Sequence, residues 1–362
     1  MRGHEANQGY MFSYVSLEDR VPPDHPLRRV KVLADDALRG LSRTFDRMYA
    51  KEGRPSIPPE RLLKSQLLIA LYTIRSETLF CEQLDYNMLY RWFLGMTLEE
   101  RSFDQTSFTK NRDRLLTHDV AGRFLQAVVH QAQEAGLLSD EHFTVDGTLI
   151  EAWASLKSFR PLDNPDQGVD GDDPGNVDVD FHGQKRSNQT HRSTTDPDAR
   201  LARKGKGKEA RLCYGVSLLM ENRHGLPVGV HVHEPTGTGE RETALLLLDR
   251  QRQRRGAPVS VGGDKGFHTK QFVDELYQRC IKPHLAMIEG HTTPGLDGRT
   301  TRSKGYKISQ RIRKRIEELF GWTKTVGGLR RTRYRGKPKV EMHITLTVVA
   351  HLLLRMGKLC PT

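Results

Sequence analysis

The chain has 362 residues, enough for about two domains at roughly 150 residues each. Lysine and arginine number 57 against 45 acids, which gives a formal charge of +12, and hydrophobic residues make up 36%. These values exclude a wholly disordered chain. No apolar run approaches the ~18–20 residues of a membrane span, the N-terminus lacks the apolar core of a secretory signal, and no two cysteines form a CxxC pair. We therefore expect a soluble, cytoplasmic protein whose positive charge suits a polyanionic partner.

The positive charge is concentrated near the C-terminus. Residues 299–339 hold fifteen lysines and arginines and two acids, so this segment alone accounts for the surplus. Residues 163–180 have the opposite sign, with seven aspartates and no lysine or arginine. A charge run is often only a solvated surface, but the density of cations in residues 299–339 favours contact with a phosphate backbone.

The first 138 residues are predicted to form a helical domain. Pro58 and Pro59 precede an amphipathic pattern, and Asp119 is a candidate N-cap for a helix that ends near Gly136. These helices suit either a helix-turn-helix that reads DNA or a helical cap on a catalytic domain. Two further helices are predicted over residues 82–94 and 105–116.

Residues 139–362 have the pattern of a mixed α/β domain. Apolar and polar residues alternate after His142 as in a strand, and two apolar runs separated by ENRHGLP predict a β-hairpin. The next elements are predicted as helix, strand, helix, strand, basic helix and apolar C-terminal element, over residues 240–250, 258–264, 269–280, 284–288, 311–324 and 340–356. This order predicts a mixed sheet flanked by helices.

A polar insertion interrupts this domain at about residues 156–210. It is rich in Asp, Gly, Pro, Ser and Lys and has few apolar residues, so we expect a mobile segment that orders on binding. Its basic tract at residues 203–208 lacks both the GK[ST] ending and the preceding strand of a P-loop. No nucleotide site is predicted there.

Two aspartates follow apolar runs that have the pattern of strands. Asp146 lies in TVDGT and Asp264 in GGDKGF, each followed by a glycine within two residues. Taken singly, each is typical of a turn. Together they suit metal-assisted phosphoryl transfer, because Mg²⁺ prefers carboxylate oxygens that rigid neighbouring strands hold in place. The third carboxylate has to come from elsewhere, and Glu317 in the basic helix is the candidate.

Helical geometry gives Glu317 a defined position. Arg313, Glu317 and Lys324 fall at i, i+4 and i+11, on the flank of the apolar stripe of that helix, whereas Glu318 lies further towards solvent. The same spacing also suits a plain ion pair between Arg313 and Glu317. The spacing alone leaves both interpretations open.

The segments TVDGT, GGDKGF and RIRKRIEELFGWTKTVGGLR together resemble the three-part signature of bacterial insertion-sequence transposases of the DDE type, closest to the insertion-sequence-five family. The third motif of that family is Tyr, two residues, Arg, three residues, Glu, six residues, Lys. Arg313, Glu317 and Lys324 match this spacing, while Gln310 stands at the tyrosine position. The segments RPSIPPERLLKSQLLIALYTIRSE and LDYNMLYRWFLGM resemble the helical domain that precedes the catalytic core of such enzymes.

This resemblance implies an RNase H-like α/β core, preceded by an all-α domain that binds DNA ends. It implies that Asp146, Asp264 and Glu317 hold two Mg²⁺ or Mn²⁺ ions, with hydrolysis that nicks the element's end and transesterification that joins the 3′-hydroxyl to target DNA. The partner is then double-stranded DNA with terminal inverted repeats, bound by a homodimer or larger assembly at the bacterial nucleoid. The alternatives are a catalytically silent DNA-binding regulator and an RNase H-like nuclease without strand transfer.

Several cations are candidates for DNA contacts. Arg313 and Lys324 are expected to hold phosphates near the scissile bond. Trp322 is a candidate for base stacking, with core packing as the alternative, and Trp153 is expected to pack. The run TVGGLRRTRYRGKPK has no acid, and we expect its cations to line the DNA path: Arg330, Arg331, Arg333, Arg335, Lys337 and Lys339.

Overall fold

The computed structural model describes residues 14–50, 52–53, 56–163, 180–181, 184–205 and 207–360. The described part of the N-terminal region is helical, as predicted. Its helices are α1 (Leu17–Arg20), α2 (Leu27–Arg39), α3 (Ser42–Met48), α4 (Pro59–Leu71), α5 (Glu77–Tyr86), α6 (Met88–Leu94), α7 (Gln105–Leu116) and α8 (Val120–Glu134).

Local sequence explains where several of these helices begin and end. Helix α4 starts at Pro59, whose missing N–H costs nothing in the first turn. Gly136 has a φ of 68° and follows the end of α8, as predicted. Asp119 precedes α8, but its φ is 47° and its side chain makes no cap hydrogen bond. The prediction of a capping side chain at Asp119 is therefore wrong.

The single helix predicted over residues 82–94 is also wrong. The chain forms α5 and α6 instead, with Asn87 between them. The Asn87 N–H closes α5 on the Gln83 carbonyl, and the Asn87 side chain accepts a hydrogen bond from the Tyr90 N–H at 3.1 Å. One asparagine thus ends one helix and begins the next.

The second half of the chain alternates strands and helices. The strands are β1 (His142–Glu151), β2 (Phe159–Pro161), β3 (Asp180–Phe181), β4 (Gln184–Lys185), β5 (His191–Ser193), β6 (Arg200–Ala202), β7 (Arg211–Glu221), β8 (Leu226–His233), β9 (Ser260–Gly263) and β10 (Lys282–Leu285). The helices are α9 (Gly239–Arg255), α10 (Lys270–Gln278), α11 (Gly298–Thr301), α12 (Lys304–Ile312), α13 (Arg315–Thr325) and α14 (Lys337–Leu359).

The main sheet has six strands and mixed direction. Its order is β10-β9-β1-β7, and β6 and β8 both pair with β7. Strands β1, β7 and β8 are consecutive antiparallel neighbours, whereas β9 and β10 run parallel to β1 on its other side. Helix α9 makes the connection from β8 to β9. This is the strand order of an RNase H-like core and confirms the predicted mixed α/β fold with a helical region before it.

Helix α14 joins the two halves of the molecule. It packs against α2, α4 and α8 on one side and against β8 on the other. The buried apolar residues of the N-terminal helices and of the sheet consequently form one continuous cluster. A domain boundary near residue 138 stays a prediction.

Helix α14 is also the most apolar long helix of the fold. Among the described residues it is the one helix long and apolar enough to cross a bilayer, with a mean hydropathy of 1.2 over its best window. However, 72% of that window is buried inside the protein. This is the placement of a core helix.

The basic helix predicted over residues 311–324 is broken in the structure. Helix α12 ends at Ile312 and α13 begins at Arg315. Arg313 and Lys314 between them keep right-handed helical dihedral angles, so the direction of the chain changes only locally. The hydrogen bonds at the break span three residues, from the Ile316 N–H to the Arg313 carbonyl and from the Glu317 N–H to the Lys314 carbonyl, so Arg313 and Glu317 do not belong to one continuous α-helix.

The predicted insertion is partly ordered structure. Strands β2 and β5 form a two-stranded sheet, and β6 pairs with β7 in the main sheet through Leu201 opposite Leu212. The acidic run over residues 164–179 lies outside the described residues. The prediction of a mobile insertion over residues 156–210 is therefore wrong for the paired strands and stays untested for residues 164–179.

Candidate active site

Asp146 and Asp264 lie next to each other at the edge where β1 and β9 meet. The parallel register ends with Thr144 of β1 paired with Gly262 of β9, and Asp264 directly follows the end of β9. The charge of Asp264 acts on the Asp146 carboxyl, so the two side chains lie close together. Adjacent strands are ~4.8 Å apart, and side chains two residues apart share a face. The structure thus brings together the two acids that the sequence singled out.

The carboxyl of Asp146 is in an unfavourable place for a charge. Burial raises its pKa to about 7, although the hydrogen bond from the Gly147 N–H acts in the opposite direction. The charges of Asp264 and Glu240 raise the pKa further, and the Arg313 guanidinium lowers it. A cation bound at this position relieves the repulsion between the acids.

Each of the two aspartates accepts a backbone hydrogen bond. Asp146 Oδ1 accepts from the Gly147 N–H and Asp264 Oδ1 from the Gly266 N–H, both at 2.8 Å. Among the described residues, no group of three or more His, Cys, Asp or Glu side chains is arranged to hold a metal ion. Each of these hydrogen bonds uses Oδ1, and a carboxylate that accepts one hydrogen bond keeps further lone pairs for a cation.

Glu240, an acid in the first turn of α9, also lies at this site but was not predicted from the sequence. A Cβ atom built on Gly147 would lie 2.7 Å from Glu240 Cδ, so the carboxyl group occupies the space that a side chain at position 147 would fill. The sequence signal was weak, because an acid in the first turn of a helix is favourable at any helix N-terminus. Only the packing of α9 under β1 brings it to the site.

Arg313 is fixed beside the two aspartates. Its Nε donates to Gln310 Oε1 at 3.0 Å, and Gln310 Nε2 in turn donates to the His284 carbonyl of β10. Its Cβ lies 3.5 Å from a Cβ built on Gly262. Gln310, at the position where the family motif has tyrosine, therefore orients the arginine of that motif.

Lys324 contacts β1 two residues beyond Asp146. Its Nζ donates to Thr148 Oγ1. Burial lowers the pKa of Lys324, and the nearby charge of Lys204 acts in the same direction. A phosphate at this place would offset both effects.

Glu317 lies along α13 between these two contacts. Arg313, just before α13, packs beside Gly262 of β9, Lys324 near the end of α13 bonds to Thr148 of β1, and α13 packs against β1. Ile316, Leu319, Phe320 and Thr323 form the buried face of α13, whereas Glu317 and Glu318 are both exposed. At 100° per residue Glu317 flanks this buried face, on the same side as Lys324, and Glu318 points away from it.

The cations that follow α13 have different environments. Arg330 is exposed, and its carbonyl accepts a hydrogen bond from the Glu151 N–H at 3.1 Å. Arg331 lies over the Trp153 ring at 4.7 Å and donates to the Ala152 carbonyl. Trp153 is 48% exposed, so the prediction that it packs in the interior is wrong.

The rest of the run is partly engaged with the protein. Arg333 is half-buried, and burial lowers its pKa. Lys339 pairs with Asp113 of α7 at 2.7 Å, although the run itself holds no acid. Lys337 is half-buried, and its N–H donates to Asp198 Oδ2 at 2.8 Å. Arg335 is exposed. The exposed cations of this run are therefore Arg330, Arg331 and Arg335.

A cleft of about 440 Å³ adjoins this end of β1. Arg211 in the cleft pairs with Glu151 and Glu209, so these three side chains together carry one net negative charge. The remaining cations of the cleft form no ion pair with described residues and give it a positive balance: Lys204, Lys208, Lys324 and Arg330. Two of them, Lys204 and Lys208, come from the basic tract at residues 203–208. That tract lacks the features of a P-loop, but its lysines line this cleft.

Trp322, the candidate for base stacking, packs against the hydrophobic core. It is half-buried and meets the His351 ring edge-on with centroids 5.0 Å apart. This contact agrees with the alternative prediction, in which Trp322 packs in the core.

Two family models match the chain. A model described as a transposase domain of the type DUF772 matches residues 15–114, and a model described as a transposase DDE domain matches residues 174–353. The chain belongs to the DDE transposases. Asp264 and Glu317 lie inside the second match, whereas Asp146 precedes it. The narrower assignment to the insertion-sequence-five family stays a prediction.

Solved structures with a similar chain course are also transposases. A piggyBac transposase synaptic complex with hairpin DNA is 9% identical, with 92% of this chain and 75% of that chain covered and a TM-score of 0.40. A pre-cleavage Mos1 transpososome is 11% identical, with 92% and 96% covered and a TM-score of 0.21. TM-scores of this size carry no argument for this chain. No curated protein matches it in sequence.

Membership of the family decides the class of chemistry. A DDE transposase cuts and joins DNA, and the family implies a divalent metal ion. Neither a catalytically silent regulator nor a nuclease without strand transfer is favoured by this match. The transposase therefore has an active-site candidate at the β1–β9 edge.

Proposed function

We propose that this transposase cuts DNA at the ends of an insertion sequence and joins the 3′-hydroxyl to target DNA, with Asp146, Asp264 and Glu317 as its catalytic carboxylates. The observation that carries the proposal is the proximity of Asp146 on β1 to Asp264, which directly follows the adjacent parallel strand β9. The packing of α13 against β1 supports Glu317 as the third acid, because Glu317 lies in sequence between Arg313, which packs beside Gly262 of β9, and Lys324, which bonds to Thr148 of β1.

The donor set fits Mg²⁺ or Mn²⁺. All three side chains offer carboxylate oxygens, the ligands that these hard cations prefer. The raised pKa of Asp146 fits as well, since its cause is burial beside like charges without a balancing ion pair. When bound, two such ions supply a nucleophilic oxygen at neutral pH and stabilise the leaving oxygen.

The cations around this edge would hold the DNA. Arg313 and Lys324 are positioned to grip phosphates on either side of the acids, Arg313 through a planar group that can bind two oxygens. Arg330, Arg331 and Arg335 would continue this path along the backbone, together with Arg333 if the segment opens. The lysines of the adjoining cleft, which form no ion pair with described residues, would extend the same positive surface.

The partners follow from this mechanism. Residues 1–138 would bind the terminal inverted repeats, and residues 139–362 would act on the scissile strand and the target DNA. Joining two ends to one target requires two active sites, so we infer a homodimer or a larger assembly. The enzyme would act at the bacterial nucleoid.

The experiment compares two neighbouring glutamates of α13. Glu317→Gln keeps shape and hydrogen bonding but removes a charge, and we expect Mg²⁺-dependent cleavage of the element's ends to fall by about 10²–10³-fold while binding in gel shifts persists. Glu318→Gln, on the outer side of the same helix, is the matched control and should cleave like the wild type. A strand-transfer assay on the same DNA ends measures joining.

Each other outcome contradicts a defined part of the proposal. Normal cleavage by Glu317→Gln with a dead Glu318→Gln would show that the helix phase is wrong by one residue. Normal cleavage by both variants would exclude a glutamate of α13 from the reaction. Cleavage without joined products would favour a nuclease.

A further inference from the structure

Glu240 occupies a fixed position beneath β1. The turn between β8 and α9 is tight, with the Gly239 N–H bonded to Thr236 Oγ1 at 2.9 Å. It directs Glu240 towards Gly147, where any Cβ atom would collide with its carboxyl group. Glycine at position 147 is therefore needed for Glu240 to reach this place.

The electrostatic surroundings of Glu240 match those of Asp146. Burial raises the pKa of Glu240, and the charge of Asp264 raises it further, while the Gly147 amide lowers it. Arg241, the neighbouring cation, donates instead to the Gly266 carbonyl at 3.2 Å. Within the described part of the chain, no lysine or arginine forms an ion pair with Glu240, Asp146 or Asp264.

A role in helix stability alone does not explain this placement. An acid in the first turn of a helix interacts well with the backbone dipole, but it does so equally well from an exposed position. Glu242 in the same turn of α9 is exposed and serves that purpose. Glu240 is instead packed among like charges, which costs stability unless a cation compensates.

We propose that Glu240 is a fourth carboxylate of the metal site, which approaches the Asp146–Asp264 pair from beneath the sheet, on the side of α9. This inference rests on the proposed function. Asp146 and Asp264 face α13 on one side, and Gly147 opens the strand to Glu240 on the other. The acid would either contact a bound divalent ion or hold one of its water molecules in place.

The test measures metal binding by the full-length protein without DNA. Mn²⁺ is titrated at pH 8 and the free ion is followed by electron paramagnetic resonance. We expect Glu240→Gln to weaken Mn²⁺ binding by about tenfold or more, Glu242→Gln to bind like the wild type, and Asp146→Asn to lose binding. Glu240→Asp, which keeps the charge on a shorter side chain, should recover part of the affinity. Gly147→Ala should weaken binding as well, because it displaces Glu240.

The outcomes separate this inference from the proposed function. If Glu240→Gln binds Mn²⁺ like the wild type while Asp146→Asn does not, Glu240 has no part in the metal site and the proposed carboxylates stand. If Asp146→Asn also binds normally, the proposed site itself is wrong. Thermal melts check folding, and Glu240→Asp serves as the deciding variant should Glu240→Gln fail to fold.

Discussion

The acids of the site are held in two different ways. Asp146 lies on β1 and Asp264 directly after the adjacent strand β9, and both are half-buried and bonded to a backbone amide. Glu317 stands exposed in the first turn of α13, after a break in the helix. Sheet-borne acids are thus positioned by the core, whereas the helix-borne acid depends on how α13 and the following segment are held.

The edge of the sheet and the segment from α13 to α14 would therefore have different roles in the proposed site. The sheet edge would supply a rigid pair of oxygen ligands and accept the electrostatic cost of bringing them together. The segment from α13 to α14 would supply cations and the proposed third acid, and it contacts the N-terminal helices. Changes in the two regions should therefore have different consequences, and three predictions test this.

The basic segment meets the N-terminal helices through Tyr334, at a buried ion pair between α5 and α7. Glu77 of α5 pairs with Arg112 of α7 at 2.6 Å and accepts the Tyr334 hydroxyl at 2.8 Å. The Arg112 guanidinium also lies 4.6 Å from the centre of the Tyr334 ring. Glu77→Gln removes one of the two carboxylates that pair with the buried Arg112, the other being Asp113 at 2.8 Å, and should lower the free energy of unfolding by about 2–3 kcal/mol.

Urea unfolding measures this loss, and Glu82→Gln on the exposed side of α5 is the control, expected within about 0.5 kcal/mol of the wild type. Amide hydrogen exchange should accelerate around Tyr334 and stay slow in β1. Uniform acceleration across β1 and β9 would mean that the two regions are not held separately.

The burial of the Asp146 carboxyl at the sheet edge should make the stability of the protein depend on pH. The pKa of Asp146 rises from 3.8 to about 7 in the folded protein, mainly through burial. Between these values the folded chain holds more protons than the unfolded chain, so metal-free stability falls as the pH rises from about 4 to 7. Asp146→Asn removes this loss and should stabilise the protein by about 2 kcal/mol at pH 8 and much less at pH 4.5.

Thermal melts in a chelator at both pH values measure the difference. Asp274→Asn, on the exposed face of α10, should show no such trend. A variant at position 146 that destabilises the protein more at pH 8 than at pH 4.5 would reverse the sign and contradict the description of the sheet edge.

Much of the fold could be predicted from local patterns. Alternation after His142 and the apolar runs around ENRHGLP predicted β1 and the hairpin of β7 and β8, because strands buried on one or both faces leave such signals. The break at Arg313 could not be predicted, since no Gly or Pro marks it. The break coincides with the packing of Arg313 against Gly262, a contact between segments about fifty residues apart in the sequence.

The site was also predictable only in part, because the positions of some of its residues depend on contacts between segments that are distant in the sequence. Asp146 and Asp264 each follow a recognisable strand, so their meeting follows from the parallel order of β1 and β9. Glu240 carries no signal of its own, because its role depends on the missing side chain of Gly147, 93 positions earlier. The positions of Lys204 and Lys208 depend on the pairing of β6 with β7, which the composition of the insertion concealed.

The smallest expected effect concerns the cations that follow α13. Arg330, Arg331 and Arg335 are exposed, and replacing all three by glutamine should lower the affinity for any duplex DNA alike, without changing sequence preference. The slope of log affinity against log salt should flatten by about 0.9 for each phosphate that the variant no longer neutralises. Arg333→Gln is the internal comparison, because this half-buried side chain should change the slope less than an exposed one. An unchanged slope in the triple variant would assign the run to a solvated surface and leave Arg313, Lys324 and the adjoining cleft to bind the DNA in this region.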